Sequence, residues 1–180
     1  LVMMIFLSYS KNMLNQIPSD DISIQKIYLE LTQRCNLHCP NCFRQNWTSP
    51  DTQMTQEIFD NFLSSVKQID TLKEIILGGI GEPTIHPNFI EWVNQLPNVD
   101  LCVTTNAYYW KNETIELLAN RFDRIVISVD GLESTFLKLR SFDFTVLEEN
   151  VKKLINLRNQ LGKYKPFLIA QLVLSRDNVN

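Results

Sequence analysis

Three of the four cysteines in this 180-residue chain, Cys35, Cys39 and Cys42, fall within eight residues. The C-x3-C-x2-C spacing puts three thiolates on one loop, where they can bind three corners of a cubane iron–sulfur cluster and leave the fourth iron open. An open corner can take a substrate or cofactor, much as a catalytic zinc keeps an open position. A cluster that only carried electrons would usually have four cysteines. The competing reading is a zinc site. Its fourth ligand would come from His38, strained between two cysteines, or from His86 or Cys102, both distant in sequence. No second C-x2-C pair is present, which weakens a zinc ribbon. Clustered thiols behind no recognisable signal peptide point to a reducing compartment, so a cytoplasmic location is expected.

The elements that must position this loop follow from the apolar pattern. Strand-length runs occur at Ile27 to Thr32, Glu74 to Leu77, Leu101 to Thr104, Arg124 to Val129 and Phe167 to Leu174. Several hardly alternate, as strands buried on both faces do. Helical spacing recurs in Ile58, Phe59, Phe62, Leu63, Val66 and Ile69, then over Pro87 to Leu96, Glu113 to Phe122 and Val146 to Leu161, with Gly162 as a C-cap. Strand and helix alternate, which implies parallel strands joined by right-handed crossovers in an α/β fold. The cysteines follow the first of the five strands.

The segment Thr32-Gln-Arg-Cys-Asn-Leu-His-Cys-Pro-Asn-Cys-Phe-Arg44 resembles the CxxxCxxC signature of the radical S-adenosylmethionine (SAM) superfamily. Three later segments match in order, each at a strand end. Gly79, Ile80, Gly81, Glu82 and Pro83 resemble the glycine-rich SAM motif. Thr104 to Ala107, with Asn106, resembles the TN-containing turn. Ile127 to Gly131, with Ser128, resembles the S-x-D-G segment. Ligand sites in parallel α/β folds lie at these carboxyl ends. Gly79 and Gly81 would let peptide groups approach the methionyl end of SAM, and the Glu82 carboxylate suits its amine. By resemblance, Ser128 and Arg140 would hold the SAM carboxylate; a solvated surface arginine is the alternative for Arg140. Asn106 would bind or simply cap a turn, and Asp130 would cap a turn with Gly131. Asn41 stands where many members carry an aromatic against the adenine, and Phe43 is the substitute.

The resemblance runs from about Ile24 onward. It implies an N-terminal arm over residues 1–23 and a core domain over 24–180 built as a partial parallel (β/α) barrel, with five of the family's usual six βα units visible. It also implies a [4Fe-4S] cluster, SAM, a reductant such as flavodoxin or ferredoxin, and reductive cleavage of SAM to a 5′-deoxyadenosyl radical that takes hydrogen from a substrate. The glycine motif and cysteine segment look most like members with further clusters that modify peptides or mature other enzymes, so a peptide, protein or small molecule is the expected substrate. More chain is expected after residue 180. The alternatives are a truncated fragment that binds cluster or SAM without turnover, and a zinc-stabilised binding module.

The remaining features set bounds. With 44% hydrophobic residues the chain can bury a sizeable core. A formal charge of −3 argues against a nucleic-acid partner. Leu1 to Leu7 is too short to span a bilayer and reads as an arm packing on the core. Cys102 reads as a buried structural thiol and His86 as a helix-entry residue. Trp47, Trp92 and Trp110 read as packing residues.

Overall fold

The computed structural model describes residues 2–4, 23–46, 48 and 51–179. Among them, six strands form one parallel sheet in sequential order. They are β1 (Val2–Met4), β2 (Lys26–Leu29), β3 (Glu74–Leu77), β4 (Asp100–Thr105), β5 (Arg124–Ser128) and β6 (Phe167–Gln171). The helices between them are α1 (Gln56–Val66), α2 (Phe89–Gln95), α3 (Asn112–Arg121), α4 (Glu133–Arg140) and α5 (Phe144–Gln160). Sequential order with crossovers of one hand keeps the helices on one face of the sheet, the winding of a barrel rather than of a doubly wound sheet.

Strand parity shows the two faces. Ile27, Leu29, Ile75, Leu77, Leu101, Val103, Ile125 and Ile127 are all buried against the helices. The alternate positions Tyr28, Thr104, Val126 and Ser128 are partly exposed and line the other, concave face. Register pairs Tyr28 with Ile76, Ile76 with Cys102 and Thr104 with Val126, so these positions form layers across the sheet.

The five expected strands and four expected helices are all present. Thr55 caps α1, its hydroxyl accepting from Ile58 N at 3.3 Å. Asp143 caps α5 in the same way, accepting from Thr145 N at 2.8 Å. Gly162 follows α5 at φ 65°, the left-handed position that glycine occupies without a Cβ penalty. Phe59 of α1 stacks on Trp92 of α2, ring centroids 4.3 Å apart, and this joins the first two crossovers.

Three features differ from expectation. β1 falls within the stretch read as an arm and pairs in parallel with β2, Met3 opposite Ile27. The rest of that arm, residues 5–22, and Trp47 lie outside the described residues. α4 was not expected; it is eight residues long, and no side chain caps its start. β6 ends at Gln171, and Phe167 and Ile169 in it are 50% and 42% exposed. Among the described strands it stands at an edge of the sheet, and residues on both of its faces are exposed, so its apolar run reflects no burial on two faces.

Candidate active site

The cysteine loop is a closed excursion from the end of β2. Met54 N donates to Leu31 O at 2.8 Å and Gln33 N to Thr52 O at 2.9 Å, so the returning chain pairs with its own stem. Between these ties, Leu37 is buried and anchors the loop. Cys42 N donates to Cys39 O at 3.0 Å, and Gln45 Nε2 caps the same carbonyl at 3.0 Å. All three thiols are half-buried. A cavity of about 360 Å³ beside them is lined by Leu37, His38, Cys39, Cys42, Arg44, Gln45 and Asp51.

Burial pushes the Cys35 and Cys39 thiols above the ordinary value of 9.0; at Cys35 the Leu37 N–H, and at Cys39 the Arg140 guanidinium, act in the opposite direction. Metal ligation requires the thiolate, so a bound cation is what would offset that desolvation.

The glycine motif joins this loop to the rest of the sheet. A Cβ on Gly81 would collide with the backbone of Thr32, Gln33 and Arg34, and Glu82 N donates to Arg34 O at 2.9 Å. Gly79, at φ 136°, leaves room for the Glu30 carboxylate, which accepts from Ile80 N. These glycines therefore make way for the cysteine-loop stem and for Glu30. Glu82 is 3% exposed. Its carboxylate accepts from Thr84 Oγ1 (2.6 Å), Thr84 N (3.1 Å), Thr105 Oγ1 (2.8 Å) and Asn106 N (2.7 Å). Burial pushes its carboxyl up, and these four donors favour the ionised form. The group expected to face a methionyl amine is thus enclosed, tying the β3 end to the β4 end.

Asn106 sits at that β4 end, 7% exposed. Its Oδ1 accepts from Tyr108 N at 2.9 Å, so it does cap a turn. Its Nδ2 donates to Asn36 Oδ1 at 2.8 Å and lies 3.7 Å from Cys35 Sγ. On the far side of the loop, Cys39 Sγ lies 3.6 Å from Arg140 O. Arg140 Nε is 2.7 Å from Asp130 Oδ2, an ion pair too poorly aligned for a hydrogen bond. Arg140 is therefore no solvated surface arginine. Ser128 is half-buried at the end of β5 and Phe43 is exposed just after Cys42. The structure thus gathers the cysteine loop, the glycine motif, Asn106 and Arg140 at one end of the sheet.

His86, by contrast, is buried on the helix side. Its Nε2 is 3.3 Å from Met54 O, its Nδ1 accepts from Asn88 N at 3.2 Å, and its ring lies tilted against Trp92. Cys102, Trp92 and Trp110 are buried in the core. Both ring nitrogens of His86 are therefore engaged elsewhere, and Cys102 is buried within β4. Among the described residues no group of three His, Cys, Asp or Glu converges tightly enough to hold a single metal ion. The surroundings fit a larger acceptor-rich group. Asn36 Nδ2, Arg44 Nε and Arg140 Nε are buried donors with no hydrogen-bond partner, all around the cysteine loop.

Three contributors were missed from sequence. Glu30 interrupts an apolar strand at its carboxyl end, a signal that could have been read. Asn36 adjoins Cys35. Asn150, buried on α5 between Leu147 and Leu154, donates to Ala107 O at 3.0 Å and Tyr108 O at 3.1 Å. A polar residue on that helix's apolar stripe was its only mark in the sequence.

Comparison with known proteins gives the same answer. The family model for the radical SAM superfamily matches residues 29–165. The chain is 33% identical over 157 residues to a tungsten-containing aldehyde ferredoxin oxidoreductase cofactor-modifying protein of Pyrococcus furiosus, covering 84% of this chain and 44% of that protein. It is 31% identical over 136 residues to a probable GTP 3′,8-cyclase of Pyrococcus horikoshii, covering 72% and 41%. The chain thus spans less than half the length of these curated relatives. Streptococcus suis SuiB bound to its precursor peptide SuiA superposes with a TM-score of 0.66 at 20% identity, over 88% of this chain and 36% of SuiB. BtrN in complex with AdoMet and 2-DOIA superposes at 0.62 and 13% identity, over 84% and 58%. At these identities the likeness is one of fold, a partial parallel barrel. The matched family model, together with the motifs gathered at the carboxyl ends of the strands, shows that this chain belongs to the radical SAM superfamily.

Proposed function

We propose that Cys35, Cys39 and Cys42 hold a [4Fe-4S] cluster whose open iron takes SAM, and that the chain is the radical-generating core of an enzyme. The observation that carries this reading is the set of three half-buried thiols at the carboxyl end of the sheet, with buried N–H donors of Asn36 and Arg44 beside them that make no hydrogen bond. When bound, the cluster and SAM supply one-electron, bond-homolysing chemistry that ends in hydrogen abstraction from a substrate.

The chain's own residues then have distinct tasks. The stem contacts of the loop keep the three thiols on one side, while Leu37 limits water access from below. The peptide groups of Gly79, Ile80 and Gly81 border the methionyl end of SAM. Ser128 and the Arg140 nitrogens not turned toward Asp130 receive its carboxylate. Phe43 lies on the adenine side. Glu82 acts through position, holding the β3 and β4 loops together. The concave face, with Tyr28 and Thr104, is the side open to a substrate.

The substrate we favour is a peptide, a protein or an enzyme cofactor. One relative is named as a cofactor-modifying protein, and one structural neighbour carries a precursor peptide. A flavodoxin or ferredoxin would supply the electron.

The test is anaerobic reconstitution with iron and sulfide, addition of SAM and dithionite, and mass spectrometry for 5′-deoxyadenosine. Product that disappears in Cys35→Ala, Cys39→Ala and Cys42→Ala supports the reading. A bound four-iron cluster without product would instead support a fragment that binds but does not turn over. Zinc in place of iron would sink both.

A further inference from the structure

We propose that Asn106, oriented by Asn36, donates a hydrogen bond to the Cys35 sulfur of the cluster and raises its reduction potential. The inference rests on the cluster reading above and adds residues to it.

Asn106 cannot be rotated without loss. Its Oδ1 accepts from Tyr108 N, so its two N–H groups must point the other way. One meets Asn36 Oδ1 at 2.8 Å, and the other is directed at Cys35 Sγ at 3.7 Å. Three contacts hold its backbone and turn in place: Asn106 N on Glu82 Oε2, and Asn150 Nδ2 on the carbonyls of Ala107 and Tyr108. The first bond also sets Asn36. Asn36 Oδ1 faces both the Asn106 amide and Cys35 Sγ, the latter at 3.9 Å, so Asn36 holds Asn106 against the thiol, while its own amide nitrogen is buried with no partner. A buried amide N–H left without an acceptor is costly, so a site that keeps one is shaped for an absent acceptor. Thiolate and sulfide sulfurs are such acceptors.

The effect has a definite sign. Reduction adds one negative charge to the cluster, and N–H donors stabilise the more negative state more than the less negative one. Hydrogen bonds to the sulfurs are among the features that set cluster potentials. Removing a donor should therefore make the potential more negative. Asn106 and Asn36 act through the cluster and are positioning residues.

The experiment compares wild type, Asn106→Ser and Asn36→Ala after reconstitution of the whole chain. Serine can still accept from the backbone two residues on, which preserves the turn, but it is too short to carry an amide N–H to Cys35. Iron and sulfide content shows loading, and an EPR-monitored redox titration gives the midpoint. The expected result is full loading with a lower midpoint in each variant. The expected size is about a tenfold smaller reduced-to-oxidised ratio at a fixed solution potential, which is about 59 mV for one electron. Fully loaded variants that titrate with the wild type overturn the proposal. Should only Asn106→Ser fail to load, Asn36→Ala decides. Failure of both to load makes the pair a structural requirement and also overturns it. A wild type that binds no four-iron cluster refutes the underlying reading, a result separate from unshifted midpoints in loaded variants.

Discussion

The two ends of the sheet are both rich in polar groups, yet they use them in opposite ways. At the amino end, Glu74 is buried and binds two cations, Lys26 at 2.7 Å and Arg124. Nearby, Lys165 pairs with Asp123 at 2.7 Å and Lys163 with Asn120 Oδ1 at 2.7 Å. The larger cavity is here, about 530 Å³, lined by those last four residues among others. Its charges already answer one another. At the carboxyl end the cavity is smaller, but buried N–H donors there lack partners and three thiols share one loop. In a parallel barrel the amino end serves stability and the carboxyl end chemistry. Three thiols on one loop beside a buried, unpaired amide mark the functional end here better than cavity size does.

The comparison can be broken first at the cysteines. Cys39→Ala should lose essentially all cluster iron, read by iron and sulfide analysis, while the apo fold keeps its far-UV circular dichroism. Next in size is Gly81→Val, which drives a side chain into the stem backbone of the cysteine loop. Overpacking of this kind costs roughly 1–3 kcal/mol. It should lower the urea midpoint and also reduce iron loading, since the displaced stem carries the cysteines.

The amino end should show the contrasting behaviour. Glu74→Gln leaves Lys26 and Arg124 without their counter-charge, and both are partly exposed. A cost of about 1–2 kcal/mol follows from two weakened charge-assisted contacts, each discounted for solvent screening. The urea midpoint should drop while iron loading and 5′-deoxyadenosine formation stay at wild-type level. An equal loss of loading would erase the distinction between the ends.

The smallest effect concerns His86, packed on the helix side beside the cysteine-loop stem. Burial holds its pKa below the ordinary 6.5, against the pull of Met54 O. The unfolded chain therefore takes up a proton near pH 6.5 that the folded chain resists. Stability contributed above that pH should be lost as pH falls from about 6.5 toward the depressed value. Urea midpoints at pH 7.5 and 5.5 should differ less in His86→Gln than in wild type.

Much of this was legible in the residues. The cysteine spacing pointed to one metal-binding loop, and β3 was read to its last residue because four consecutive apolar or ion-paired positions are buried together. Helices with a continuous apolar stripe, such as α5, were equally plain. α4 was missed because only Phe136 and Leu139 in it are buried, too few to set a period over eight residues. β1 was missed because three residues carry no alternation.

The sequence by itself determined the alternation of strands and helices, the loop that carries Cys35, Cys39 and Cys42, and the turn chemistry of Asn106. These depend on neighbours a few positions away, where spacing and local hydrogen bonding dominate. Only the tertiary structure decided that Glu82 would be enclosed between the ends of β3 and β4. It alone set Asn106 against Cys35, 71 residues away in the chain. Those meetings depend on the parallel register of β2, β3 and β4, which brings distant strand ends to one level and which no local pattern encodes.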